Sequence, residues 1–184
     1  MFLCSLKIKF FLLFFLFNFL LFSQKLDSIQ NGKNIYFENL FQVNNVIYRS
    51  EQPSKIGIKE LEKLGIKSIL NLRNIKNDHW IIRHSNLFYF QERINAWTMT
   101  ENQLLNALSL LKNAEKPVLI HCVHGSDRTG TVIAAYRILF ENWTKEAAIK
   151  ELLESQYGFH SVFENLILLL NKLDIEKSKI KLEI

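Results

Sequence analysis

PVLIHCVHGSDRTG, residues 117–130, runs from an apolar stretch into a cysteine and then through a glycine-containing loop to Arg-Thr-Gly. Pro117 to His121 has the length and composition of a buried strand. Thr129 to Phe140 places Val132, Ile133, Tyr136 and Leu139 at helical spacing, which predicts a helix. A strand that passes through a loop into a helix is a unit of a parallel sheet, and such sheets bind ligands beyond the carboxyl ends of their strands. Cys122 stands at that place.

Upstream the same grammar repeats. Val46 to Arg49 reads as a short strand, and SEQPSKIGIKELEKLGIKSILNLR follows it. Pro53-Ser54 opens a helical pattern through Ile58, Leu61 and Leu64, Gly65 ends it, and Ser68 to Leu72 is a strand. Strand, helix, strand at this spacing is a βαβ unit. A polar connection from Asn74 to Asn86, with a short helix near His79 to Arg83, leads to a strand at Leu87 to Phe90. Thr100 and Gln103 form a capping box before a helix carrying Leu104, Leu105, Leu108 and Leu111. Two more helices are expected, from Thr144 to about Tyr157 and after a box at Ser161 and Glu164. IYFENLFQV, residues 35–43, alternates like an edge strand or hairpin. The expected fold is a single α/β domain over residues 25–184, a mostly parallel central sheet flanked by helices.

The loop Val123, His124, Gly125, Ser126, Asp127, Arg128 turns into a helix N-terminus, where backbone N–H groups and the helix dipole make a cradle for an anion. The same surroundings favour a thiolate at Cys122. Arg128 can grip two phosphate oxygens through its planar fork. A buried structural thiol is the competing reading of a lone cysteine.

His-Cys-x-x-Gly-x-x-Arg-Thr-Gly resembles the active-site signature of the cysteine-dependent phosphatases, the superfamily of tyrosine and dual-specificity phosphatases. VIYRSEQPS, LGIKSILNLR, PVLIHC and AAYRILFENWTKEAAIKEL are similar, in order and spacing, to the atypical dual-specificity phosphatases of plants and fungi and their bacterial relatives. The resemblance covers Val46 to His160. It implies a dual-specificity phosphatase-like fold and a phosphorylated substrate, by default a phosphotyrosine protein; an inositol phosphate or lipid phosphate is the alternative suggested by Asp127 and by a membrane location. Cys122 would attack phosphorus, Arg128 and the amides of residues 123–128 would hold the oxygens, Thr129 would bond the sulfur, and His121 would brace the loop. No cofactor and no metal is implied, since Arg128 and the amides supply the positive charge. An inactive relative that captures phosphorylated ligands is the alternative from the binding class.

The proton donor departs from the pattern. Many members carry an Asp on an upstream loop, yet QERINAWTMTENQ, residues 91–103, contains none. Glu92 and Glu101 lie there without matching the motif. Asp127 offers another donor, and an Asp in this place resembles the myotubularin and Sac-type inositide phosphatases. A cap for the following helix is the alternative reading of Asp127. Arg49 and Arg73, ending two strands, are expected on the same sheet edge as Cys122, as pocket residues or as ordinary ion-pair partners. Asn95 or Trp97 is expected along one pocket wall, and His124 either touches substrate or is simply exposed.

Residues 1–24 differ from the rest: Lys7 and Lys9 precede a Phe/Leu run from Phe10 to Phe22, followed by Ser23-Gln24. This is the form of a signal peptide or an N-terminal anchor, giving an exported or membrane-anchored protein with possible membrane contact only through this segment. Its removal would take two of the five net positive charges and Cys4. So modest a charge indicates no nucleic-acid partner, and Cys122 would have no disulfide partner.

Overall fold

The computed structural model describes residues 35–184. The signal-peptide or anchor segment lies outside the described residues, and among these no helix is long and apolar enough to cross a membrane. Five strands, β1 (Phe41–Gln42), β2 (Ile47–Ser50), β3 (Ser68–Arg73), β4 (Phe88–Ile94) and β5 (Val118–His121), form one sheet in the order β1-β2-β5-β3-β4. β1 pairs antiparallel to β2, and every other pairing is parallel.

The central strands explain why the sheet is covered on both faces. All residues of β3 and β5 are buried, as parallel strands between helical layers must be. Side chains alternate across the sheet. Leu70, Leu72, Val118 and Ile120 enter the larger core, beneath α3 (Glu101–Asn113), α4 (Asp127–Phe140), α5 (Lys145–Leu152), α6 (Glu164–Lys172) and α7 (Ile175–Leu182). Ile69 and Leu119 face the other way, packing with Phe37, Leu40, Ile58, Leu61 and Ile82 under α1 (Lys55–Lys63) and α2 (His79–Ile82).

Caps fix the ends of these helices. Ser54 Oγ accepts the Gly57 N–H at the start of α1, and Gly65, at φ +82°, turns the chain after it. The Thr100–Gln103 capping box is formed at α3, and Thr144 caps α5.

Several boundaries differ from expectation. Of the leading segment only Phe41–Gln42 forms a strand, with a single bridge at Leu40 before it, and Phe37 and Leu40 enter the smaller core. β4 runs on to Ile94, carried past its apolar start by pairing with β3 around a bulge. α4 begins at Asp127, two residues early. α5 stops at Leu152, with Ser155–Tyr157 a separate 3-10 turn before Gly158 at φ +65°. Ser161–Phe163 is likewise a 3-10 turn, so Ser161 does not cap α6. α7, capped by Asp174, was not expected, since its lysine-rich sequence buries little beyond Ser178 and Leu182.

Candidate active site

β5 delivers Cys122, 1% exposed, to the centre of the sheet's carboxyl edge, and the carbonyls of the loop that follows are each engaged by a neighbouring group. The Cys122 carbonyl faces His121 Nδ1 at 3.1 Å. The Val123 carbonyl accepts the Gln52 N–H at 3.0 Å, and the His124 carbonyl accepts Asn39 Nδ2 at 2.7 Å. Arg49 Nη2 donates to the Gly125 carbonyl at 2.7 Å, and the Gly130 N–H donates to that of Ser126 at 2.8 Å. Each carbonyl is thus turned away from the loop's centre. The backbone N–H groups of residues 123–128, among the described residues, have no protein acceptor. Buried N–H groups ordinarily find a partner, and a ring of unpaired ones ahead of α4 is a receptor for an oxyanion.

Arg49, near the carboxyl end of β2 and so on the sheet edge that carries Cys122, sends its side chain under the loop, 2% exposed, its guanidinium 4.2 Å from the centre of the Tyr157 ring. Burial draws its pKa down to about 10, which leaves it charged at neutral pH. It braces the loop from behind. Arg73 takes the ion-pair alternative: its Nη2 pairs with Asp78 and donates to the Asn77 carbonyl.

Asp78 links these pieces. Its Oδ1, which meets Arg73, also accepts from Gln52 Nε2 at 2.7 Å, and its Oδ2 faces His121 Nε2 at 2.9 Å. The residue that precedes the cysteine, the residue that holds the Val123 carbonyl and an arginine of β3 therefore meet on one buried carboxylate. Burial alone would push the Asp78 carboxyl up, but hydrogen bonds from His121 and Gln52, with the charges of His121 and Arg73, outweigh it and the net direction is down. A carboxylate lowered in the folded state contributes stability above its unfolded value of about 3.9 and loses it as pH falls through the folded value. Asp78→Asn should therefore cost about 3 kcal/mol at neutral pH, by stranding the buried Arg73 guanidinium. It should also flatten the loss of stability below about pH 4, seen by thermal melts across the acid range. An unchanged acid profile would remove Asp78 from this role.

The remaining groups converge on the mouth of the loop. Arg128 Nη1 donates to the Ile94 carbonyl at 3.3 Å, while its Nε is buried without a partner. Thr129 Oγ1 is buried without a partner as well. Both orphans border the loop, where a bound phosphate and the sulfur would satisfy them. Asp127, 5% exposed in the first turn of α4, does not cap that helix; its carboxylate accepts the His160 backbone N–H at 2.9 Å and faces His160 Nδ1 at 3.0 Å. His124 is exposed, its ring 5.5 Å from that of His160.

The other candidates fall outside this cluster. Asn95 stands beyond the carbonyl that Arg128 uses, but its Oδ1 accepts the Trp97 N–H, closing the Ala96–Thr98 turn. Trp97 packs edge-on against Phe163. Glu92 is half-buried on β4, its carboxyl pushed up by burial. Glu101 opens α3.

Two clefts flank the loop. One, about 330 Å³, is bordered by Gln52, Arg73, Ile75, Lys76, Val123 and Arg128. The other, about 350 Å³, lies between Asn39, Glu51, Val123, His124 and Tyr157. Sequence reasoning missed Asp78, Gln52, Asn39 and His160. Asp78 sits in a stretch read only as a connection, and His160 lies 33 residues from Asp127 with no motif to join them.

A profile described as "Tyrosine phosphatase family" matches residues 35–181. The dual specificity protein phosphatase TpbA of Pseudomonas aeruginosa is 30% identical over 126 residues, 65% of this chain and 56% of that protein. The inositol diphosphatase DSP5 of Arabidopsis thaliana is 31% identical over 128 residues, 61% of this chain and 59% of its own length. The chain thus spans little more than half the length of these relatives. Among solved structures, P. aeruginosa TpbA superposes with a TM-score of 0.71 at 24% identity, covering 79% of this chain and 91% of that one. The catalytic core of the PP-IP phosphatase SIW14 from S. cerevisiae gives 0.66 at 25% identity, covering 81% and 95%.

Proposed function

Because the chain belongs to the tyrosine phosphatase family, we propose that it is a metal-independent phosphomonoesterase working through a cysteinyl-phosphate on Cys122. The observation that carries this reading is the ring of unpaired amides on residues 123–128, set around a buried cysteine and backed by the unpaired Nε of Arg128. Cys122 Sγ attacks phosphorus; the S–P bond forms as the P–O bond to the leaving group breaks. The amides and Arg128 hold the equatorial oxygens, most tightly as the transferring group flattens. Asp127 gives the leaving oxygen its proton. Water then attacks the cysteinyl-phosphate, Asp127 takes the water's proton, and the sulfur leaves with Thr129 Oγ1–H turned towards it. His121 and Asp78 hold the cysteine's end of the loop.

Two substrate classes follow from the relatives. TpbA has been solved, in a Cys-to-Ser form, with pTyr bound, and DSP5 and SIW14 are named for inositol diphosphate and PP-IP substrates. Phosphotyrosine is the first reading. The inositol reading gains support from Lys76 and Arg128 on one cleft, two cations where a further phosphate of the same substrate would lie, while Arg73 at its border stays paired with Asp78. Residues 1–24 are proposed to export or anchor the protein.

The test is phosphate release by the purified chain from phosphotyrosine peptide, inositol polyphosphate and aryl phosphates of graded leaving-group pKa, with and without Asp127→Asn. The variant should lose about 10²–10⁴-fold on alkyl phosphates, which need the proton, and far less on nitrophenyl phosphate. An equal loss on both would move the donor role to Glu92 or elsewhere. No release from any substrate by the unaltered chain would leave the binding-module reading.

A further inference from the structure

We infer that His124, Asp127 and His160 form a site for one borderline transition-metal ion of the Zn²⁺ type at the rim of the loop. Two imidazoles and one carboxylate offer ligand atoms that all lie within 4.8 Å of one another. Tetrahedral zinc, with bonds of about 2.1 Å, needs ligand atoms roughly 3.4 Å apart. His160 Nδ1 is already 3.0 Å from either Asp127 oxygen, so an ion fits between them after a small separation. His124 is exposed and free to swing its ring the remaining distance.

The set is organised before any ion arrives. Asp127 is fixed in the first turn of α4, 5% exposed, and one of its oxygens is held by the His160 backbone N–H. The Gly158 turn, at φ +65°, brings the His160 segment over the loop, and Phe163 meets the ring edge-on at 6.4 Å. An ion takes the Nδ1 lone pair of His160 once its proton has shifted to Nε2 or left to solvent. The fourth position remains for water. Two nitrogen donors select zinc, cobalt, nickel or copper over magnesium and calcium. The positive end of α4 works against a cation, so binding should be reversible.

The effect on catalysis rests on the proposed role of Asp127: a bound ion keeps that carboxylate deprotonated and withdraws the proton donor. Occupancy is therefore inhibitory.

Binding is tested without reference to activity. The full chain carrying Cys4→Ser and Cys122→Ser, which removes both thiols, is titrated with Co²⁺ and followed by its visible spectrum. One Co²⁺ per chain is expected, with a spectrum of nitrogen and oxygen ligation that Zn²⁺ abolishes. Adding His124→Ala or His160→Ala should weaken binding on the order of tenfold or more, with melting curves confirming that these variants fold. No cobalt spectrum, or one that survives both substitutions, overturns the site; so does binding found only when Cys122 is present. In the unaltered chain, Zn²⁺ inhibition relieved by His124→Ala is expected. Binding without inhibition would uphold the site and remove Asp127 from the reaction.

Discussion

Cys122→Ser should lower phosphate release on the order of 10⁴-fold or more while leaving oxyanion binding nearly intact. The two halves of this result have separate physical sources. Turnover requires a nucleophile that attacks phosphorus and later departs, and a serine hydroxyl in the same place is both less ionised and a worse leaving group. Binding requires the loop, whose shape depends on carbonyls held by Asn39, Arg49, Gln52 and Gly130 through hydrogen bonds that do not involve the sulfur. Phosphate release measured beside calorimetric titration with tungstate separates them. Residual turnover within tenfold of the unaltered chain would end the cysteinyl-phosphate mechanism. Loss of both would mean that the thiol holds the loop together.

Gly125→Ala should be the most damaging small substitution in the described residues. Gly125 has φ +74°, and a Cβ there would come within 2.4 Å of the Ser50 backbone. The left-handed conformation costs an alanine about 1–2 kcal/mol. The overlap is with main chain, which cannot step aside as a side chain would, and overpacking of this kind adds roughly 1–3 kcal/mol. The sum is a large part of a domain stability of about 5–15 kcal/mol. A fall in melting temperature of roughly 5–15 °C, with loss of tungstate binding even below the melt, is the expected outcome. A variant that melts normally and binds tungstate would show that the loop does not rest on β2 as described.

The order of strands and helices was legible because β3 and β5 are largely apolar runs, α1, α3 and α4 keep the helical apolar period, and α1 and α3 carry side-chain caps. The loop was legible because its residues are consecutive. What joins them was not. Asp78 is one acidic residue in a polar connection, and nothing local distinguishes a carboxylate that meets His121, Gln52 and Arg73 from one in water. Arg49 looked like a strand-end cation; its burial follows from the parallel pairing of β2 with β5, which lays its side chain under Gly125. Asp127 read as a proton donor with a helix cap as the alternative, and only the position of His160 shows that its oxygens turn away from the helix. Asn95 and Trp97 were placed near the right strand end, yet their own turn engages them.

The outward carbonyls also bear on the order in which this chain can assemble. The bonds from Asn39 and Arg49 to the loop close over 85 and 76 residues of sequence. Contacts so distant form only after most of the intervening chain is in place. The anion receptor is therefore a late product of folding, absent from any intermediate that lacks β1 and β2 on their edge. By the same linkage, an oxyanion that binds only the finished loop stabilises the whole domain by mass action. Protection by phosphate against proteolysis would thus report on the distant N-terminal edge of the sheet as well as on the loop.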